Sequence, residues 1–235
     1  MPTINVDRLK KSDYRCNEAY KTLRTNVQLC NSDLKVIMIT SATPNEGKST
    51  VSFNLAITLA ESGKKVIFID ADLRKSVLVG RYKISKSIKG LAHILSGMNK
   101  FSEVVCSTNV DNLDIVFSGV VPPNPSELLD NAIFDAMVKT LRESYDYVII
   151  DTPPLGSVTD ATVVAQKCDG AILVVGAGDV SYKFVQSCLD QLKKTQCKVL
   201  GAVLNKVDLS GDSYYGNYYG KYYGKYYGNY NSKDE

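Results

Sequence analysis

Six short runs of apolar, largely β-branched residues recur along the chain, at 35–41, 65–70, 113–118, 147–151, 170–175 and 198–204. Most are continuously apolar rather than alternating, the pattern of a parallel strand covered on both faces. Between them, polar and apolar residues follow helical spacing over 48–61, 125–142, 160–167 and 181–194. Asn124 followed by Pro125 predicts the start of the second of these helices, with Pro in the first turn. Alternation of this kind predicts right-handed βαβ units and an open, doubly wound, mostly parallel α/β sheet. Such sheets bind ligands at the carboxyl ends of their strands. A further helical stretch, about 12–30, precedes the first strand and stands outside the alternation.

The pattern breaks near Asp208. Beyond it the chain reads SYYGNYYGKYYGKYYGNYN, four copies of Tyr-Tyr-Gly at a period of four. Glycine at every fourth position disfavours a helix, and no aliphatic residue is there to build a core, so the segment predicts a flexible tail. The aromatic composition now divides in two. Of 15 Tyr, nine lie here: Tyr214, Tyr215, Tyr218, Tyr219, Tyr222, Tyr223, Tyr226, Tyr227 and Tyr230. The expected organisation is an N-terminal helical segment (1–34), a globular domain (35–208) and a tyrosine-rich tail (209–235). With 44% hydrophobic residues the 235-residue chain can fill a core, which excludes wholesale disorder.

Charge and cysteine narrow the function classes. A net charge of +3, from 28 basic and 25 acidic residues, gives no argument for nucleic acid as a partner. The six Cys are scattered without a CxxC pair, which speaks against a metal site or a disulfide framework and for reduced thiols. The N-terminus has no apolar core of a signal peptide, and no apolar run approaches the ~20 residues that span a bilayer. A cytoplasmic chain is expected, one that a partner must hold if it works at a membrane.

Three motifs fall at the ends of predicted strands. The first is Ala42-Thr43-Pro44-Asn45-Glu46-Gly47-Lys48-Ser49-Thr50, a phosphate-binding loop GxxxxGK(S/T) with Ala42 in place of the first Gly. Backbone N–H groups of such a loop and of the following helix cradle phosphate oxygens. Lys48 is placed to neutralise the β- and γ-phosphates and Ser49 to ligate Mg²⁺. The second, Val66-Ile67-Phe68-Ile69-Asp70-Ala71-Asp72-Leu73-Arg74, offers two carboxylates for Mg²⁺, for a base, or for both. The third, Tyr147-Val148-Ile149-Ile150-Asp151-Thr152-Pro153-Pro154, ends an apolar strand on Asp151, where a Walker B carboxylate meets Mg²⁺ through water. A parallel sheet brings all three to one edge.

Together with the terminal tyrosine cluster, Pro122–Leu129 (PPNPSELL) and Asp160-Ala161, these motifs resemble the bacterial tyrosine kinases of capsule and exopolysaccharide synthesis. The resemblance covers nearly the whole chain and is to the cytoplasmic kinase subunit of Gram-positive organisms. It implies a P-loop NTPase fold, ATP and Mg²⁺, Asp70 as base and metal-site residue, Asp72 and Asp151 completing the acidic cluster, and Arg74 near phosphate or substrate. It also implies a membrane adaptor of the polysaccharide co-polymerase type, a tyrosine phosphatase, a place at the inner face of the membrane and a homo-octameric ring. The family's Glu-x-x-Arg-x-x-Arg assembly motif reads Glu18, Lys21, Arg24 here. Lysine keeps the charge but loses the bidentate fork.

Other readings compete. A partitioning or positioning ATPase of the same superfamily resembles KGGxGK(S/T), yet the signature lysine position holds Thr43. Asn205-Lys206-Val207-Asp208 fits the guanine-binding NKxD pattern, but Asp151 is followed by Thr-Pro-Pro rather than a DxxG. Asn205 is expected instead to line the adenine pocket. A non-enzymatic scaffold, with the Tyr-Tyr-Gly repeats as an interaction module, is the remaining class. His93 is expected on a helix surface or core edge, without a catalytic duty.

Overall fold

The computed structural model describes residues 3–6, 14–31, 33–81 and 88–208; the tail, with its nine tyrosines, lies outside the described residues. The chain begins with β1 (Thr3–Ile4) and α1 (Tyr14–Cys30), then β2 (Val36–Ser41), α2 (Lys48–Glu61) and β3 (Val66–Asp70). Three short helices, α3 (Leu78–Arg81), α4 (Leu91–Leu95) and α5 (Phe101–Val104), lead to β4 (Cys106–Thr108) and β5 (Leu113–Val116). There follow α6 (Pro125–Leu129), α7 (Ala132–Ser144), β6 (Tyr147–Asp151), α8 (Asp160–Ala165), β7 (Gly170–Gly176), α9 (Tyr182–Lys193) and β8 (Lys198–Asn205).

Among the described residues eight strands form one sheet in the order β1-β4-β5-β3-β6-β2-β7-β8. Every pair is parallel except β4 with β5, so β1 and β4 run against the other six. From β2 the chain moves outward to β3 and β5, then returns through β6 and passes to β7 and β8 on the other side. The carboxyl end of β2 therefore sits where the winding reverses, the usual binding position of such sheets.

The continuously apolar strands divide their side chains between two cores. Val36, Met38, Ile67, Ile69, Val148 and Ile150 face the layer of α7, α8 and α9. Ile37, Ile39, Val66, Phe68 and Ile149 face α2, where Phe53 meets Phe68 edge-to-face, ring centroids 5.2 Å apart at 86°. At period two both faces are greasy because both are covered by helices. Helix α1 packs on α2 largely through Val27, and most of its surface stays open.

Three differences from the sequence pattern have local causes. The helix expected over 125–142 is two helices. Asn131 accepts the Phe134 N–H through its side chain and starts α7 afresh. Asn124 makes no side-chain cap and instead donates to Glu127 Oε2 at 2.7 Å. The strand expected to reach 118 stops at Val116, because the Phe117 and Ser118 carbonyls accept N–H groups of Leu91 and Ala92 at the head of α4. Strands β1 and β4, two and three residues long, are too short for a periodic signal.

At the amino ends of the central strands Asp169 ties three elements together. Its Oδ2 accepts the N–H of Lys35 at 3.0 Å and of Val36 at 2.8 Å, and both oxygens lie 2.7 Å from Arg142 Nη1. Asp169→Ala leaves those donors unpaired at a half-buried site, so urea unfolding should read a loss of about 2–3 kcal/mol. Nucleotide affinity, read at the opposite edge of the sheet, should stay at the wild-type value.

Candidate active site

The loop between β2 and α2 is shaped by its neighbours. Ala42 is fully buried and does not take a positive φ, so its first position needs no glycine. Asn45 and Gly47 do, at φ 68° and 91°. Gly47 is required twice over: a Cβ there would come 2.2 Å from Asn205 Nδ2. That amide donates to the Glu46 carbonyl at 2.8 Å. The Glu46 side chain, wholly buried, accepts the Thr43 N–H at 2.7 Å and the Gly176 N–H at 3.0 Å. One carboxylate thus straps the loop to itself and to β7, and Asn205 straps it to β8. Thr43 and Thr50 are half-buried and Pro44 and Asn45 exposed, while Lys48 and Ser49 begin α2 facing inward. Thr50 Oγ1 accepts from Arg81 Nη1 at 3.0 Å.

Lys48, Asp70, Asp72 and Asp151 meet at this edge. The Lys48 ammonium lies 3.0 Å from Asp72 Oδ2, 3.2 Å from Ser49 Oγ and 3.7 Å from Asp151 Oδ2. Asp70 and Asp151 are register partners on adjacent strands. Both Asp151 oxygens are buried without a hydrogen-bond partner. Asp70 Oδ2 accepts the Ser76 hydroxyl and its Oδ1 the Asp72 N–H at 3.3 Å. Asp72 Oδ1 accepts the Lys75 N–H at 3.0 Å. Among the described residues no three His, Cys, Asp or Glu side chains converge into a metal-binding group. The acids are interleaved with the lysine instead.

Burial dominates the protonation of these groups. It pushes Asp70 up to about 7, with the neighbouring Asp151 adding to the effect. It also raises Asp151, against the pull of Lys48. Burial alone would depress the Lys48 ammonium, but Asp151 and Asp72 outweigh it and the net shift is upward.

Arg74 does not point at the acid cluster. Its guanidinium grips buried Asp160 with two bonds, Nε to Oδ2 at 2.8 Å and Nη2 to Oδ1 at 2.9 Å, and reaches Ser126 Oγ at 3.1 Å. Asn205 gives one amide N–H to the loop backbone, which fixes its side chain at the end of β8. On α1, Lys21 pairs with Glu18 at 2.7 Å on the exposed face, while Arg24 turns inward to the Thr58 carbonyl at 3.3 Å. His93 Nδ1 accepts the Gly90 N–H at the start of α4, away from the cluster. The straps of Glu46 and the bond from Ser76 had no signal in the sequence beyond a polar residue inside or just after a motif.

A family profile described as an AAA domain matches residues 34–205. The chain is 45% identical over 216 residues to the tyrosine-protein kinase CpsD of Streptococcus pneumoniae serotype 4, covering 91% of this chain and 95% of that protein. The kinase domain of the Escherichia coli tyrosine kinase ETK superimposes with a TM-score of 0.80 at 31% identity, covering 91% of each chain. The septum site-determining protein MinD of Pyrococcus horikoshii, complexed with Mg-ADP, gives 0.60 at 28% identity over 77% of this chain and 72% of that one.

The nucleotide-free protein should carry a pH signature of Asp70. An unfolded Asp titrates near 3.8 and the folded one near 7, so between those values the folded state holds a proton that the unfolded state releases. Stability therefore falls as pH rises through that window and levels off above it. Asp70→Asn mimics the protonated acid. Thermal unfolding should find the variant close to wild type near pH 4, increasingly more stable than wild type as pH rises to 7, and clearly more stable at pH 8.

Proposed function

The chain belongs to the bacterial tyrosine-protein kinases, and on that premise we propose that it uses ATP and Mg²⁺ to phosphorylate the tyrosines of its own C-terminal tail. The observation that carries this reading is the meeting of Lys48, Asp70, Asp72 and Asp151 beside a strapped phosphate loop, in a chain whose tail holds nine of its 15 Tyr.

The residues suit both groups. The loop backbone and the head of α2 offer N–H donors to phosphate, and Thr43, Pro44, Asn45, Glu46, Gly47 and Thr50 shape the cradle. The Asp151 carboxylate, buried without a hydrogen bond and paired only loosely with Lys48, and the Ser49 hydroxyl, with Asp70 close by, fit a divalent cation that takes one or two carboxylates and completes its shell with water and phosphate. Mg²⁺ there supplies charge neutralisation at the phosphoryl group being transferred. Lys48 orients the phosphates once the ligand draws it from Asp72. Asp70 is the better base of the pair. Asp72 is occupied by Lys48 and the Lys75 amide, whereas burial gives Asp70 the proton affinity that taking a phenol proton near neutral pH requires. Asn205 places the adenine side of the pocket through its hold on Glu46.

Transfer in trans within a ring is the natural arrangement. We assign assembly to the sparsely buried α1, where Glu18 and Lys21 are paired on the exposed face and Arg24 reaches inward to Thr58 beside them, with an octamer as the expected size. The tail begins near neutrality, with three Lys and three acids over 211–235. Each phosphotyrosine adds about −1.5 to −2, so nine add roughly −14 to −18, and an acid-lined site repels the product. Phosphorylation then loosens the ring, and a tyrosine phosphatase resets it. Among the described residues no helix is long and apolar enough to cross a membrane. We assign membrane placement to an adaptor of the polysaccharide co-polymerase type, and the output to capsule or exopolysaccharide synthesis and export.

Labelled ATP, probed for phosphotyrosine, tests the reading. Wild type should be labelled, Lys48→Met should lose more than about 100-fold of the label, and a chain ending at Ser213 should carry almost none. Label in the shortened chain but not in the full one would overturn the tail as acceptor. GTP outcompeting ATP would overturn the choice of nucleotide.

A further inference from the structure

Three segments of distinctive sequence meet at one point away from the phosphate loop. Arg74 comes from the loop after β3, Ser126 from α6 in the PPNPSELL segment and Asp160 from the head of α8. Asp160 is wholly buried and accepts both bonds of the Arg74 fork, and its Oδ1 also takes the Ser126 hydroxyl at 2.5 Å. Burial works against its charge, yet Arg74 and Ser126 hold the carboxyl below its ordinary value. A bidentate pair of this kind fixes orientation as well as distance.

The loop that Arg74 anchors also carries the chemistry. Its first amide, Ala71, donates to the Asp151 carbonyl at 2.8 Å, and Leu73 is buried in the core. Those two contacts fix the depth of the loop. The Asp72 amide and the Ser76 hydroxyl tie the loop back to Asp70, and the fork is its polar contact with the α6 and α8 layer. It is two residues from Asp72, whose one oxygen takes the Lys75 amide and whose other meets Lys48. A turn about the Leu73 anchor would swing Asp72 away from the ammonium.

We propose that Arg74, clamped by Asp160 and Ser126, is a positioning residue that fixes the rotation of the 71–77 loop and thereby sets Asp72 against Lys48. The inference rests on the kinase reading for its kinetic consequence, while its structural consequence stands apart. The phosphate loop is held independently by Glu46 and Asn205, so ATP binding does not depend on the clamp. The rate of transfer does, because acid and lysine must keep their places as the ligand arrives.

The test uses the full chain with Arg74→Lys, Asp160→Asn, their combination and Ser126→Ala. For the first two, kcat for tail phosphorylation should fall by about 10- to 100-fold, while KM for ATP moves by less than about threefold. The combined variant should be no worse than either single change, because both break one contact. Hydrogen exchange at the Lys75 amide, held by Asp72, should speed up in each. If Arg74 instead acted on the transferred phosphate, Asp160→Asn would free it and keep or raise kcat. That result, additive losses, or unchanged Lys75 exchange overturns the proposal. Should Asp160→Asn not fold, Ser126→Ala removes one bond from the clamp and leaves the buried charges paired. It should then show a smaller kcat loss at an unchanged melting temperature, and full activity with unchanged exchange would overturn the clamp. Absence of phosphotyrosine from wild type would sink the kinase reading, and Lys75 exchange would still decide the clamp.

Discussion

One buried ammonium holds the site together. Lys48 sits among Asp72, Asp151 and Asp70 where little water reaches, and each of those carboxylates is itself buried. Desolvating such ions costs several kcal/mol apiece, and mutual attraction recovers it only when every charge has a partner. Here the count does not balance. One cation faces three acids, Asp151 has no hydrogen bond, and Asp70 responds by holding its proton to about 7. The site is thus strained toward accepting positive charge, which is the demand that a divalent cation with its nucleotide meets. On the proposed reading electrostatic need and function coincide, because the groups that are costly alone would be neutralised by the ligand they act on.

The fold serves this cluster by register. β2, β6 and β3 are neighbours, so Ile39, Asp151 and Asp70 stand in register and β2 runs two residues further to Ser41, without any long-range design beyond parallel pairing. That is why the architecture could be read from the apolar runs. Each run is buried on both faces, and a chain alternating such runs with helices has few ways to close. The boundaries of α2 and β6 fell where the sequence pattern put them, because Gly47 and Asp151 are both punctuation and chemistry.

What the pattern could not carry was contact between distant residues. Glu46 and Gly176 are 130 positions apart and Arg74 and Asp160 are 86 apart, and no periodicity links them. Ser76 was legible only as a polar residue just after a motif, yet it donates to the buried Asp70. Arg74 shows the same limit from the other side. Its position in the motif suggests phosphate, whereas its partners place it on the scaffold. A motif fixes which residue types gather near a ligand; packing decides which of them face it and which hold the others still.

The carboxyl end of the domain returns to the same place. β8 ends at Asn205, whose carbonyl accepts the Ala177 N–H and whose amide holds the Glu46 carbonyl. The tail therefore follows from a strand fastened to the phosphate loop. Its 27 residues beyond Asp208 span at most ~90 Å when extended, several times the radius of a body of this size. Reach does not select between a chain's own site and a neighbour's. On the proposed reading, selection falls to the electrostatics of the edge the tail would approach. Three acids with one lysine would admit a neutral phenol more readily than its phosphate, so the charge of the edge would favour release of the product.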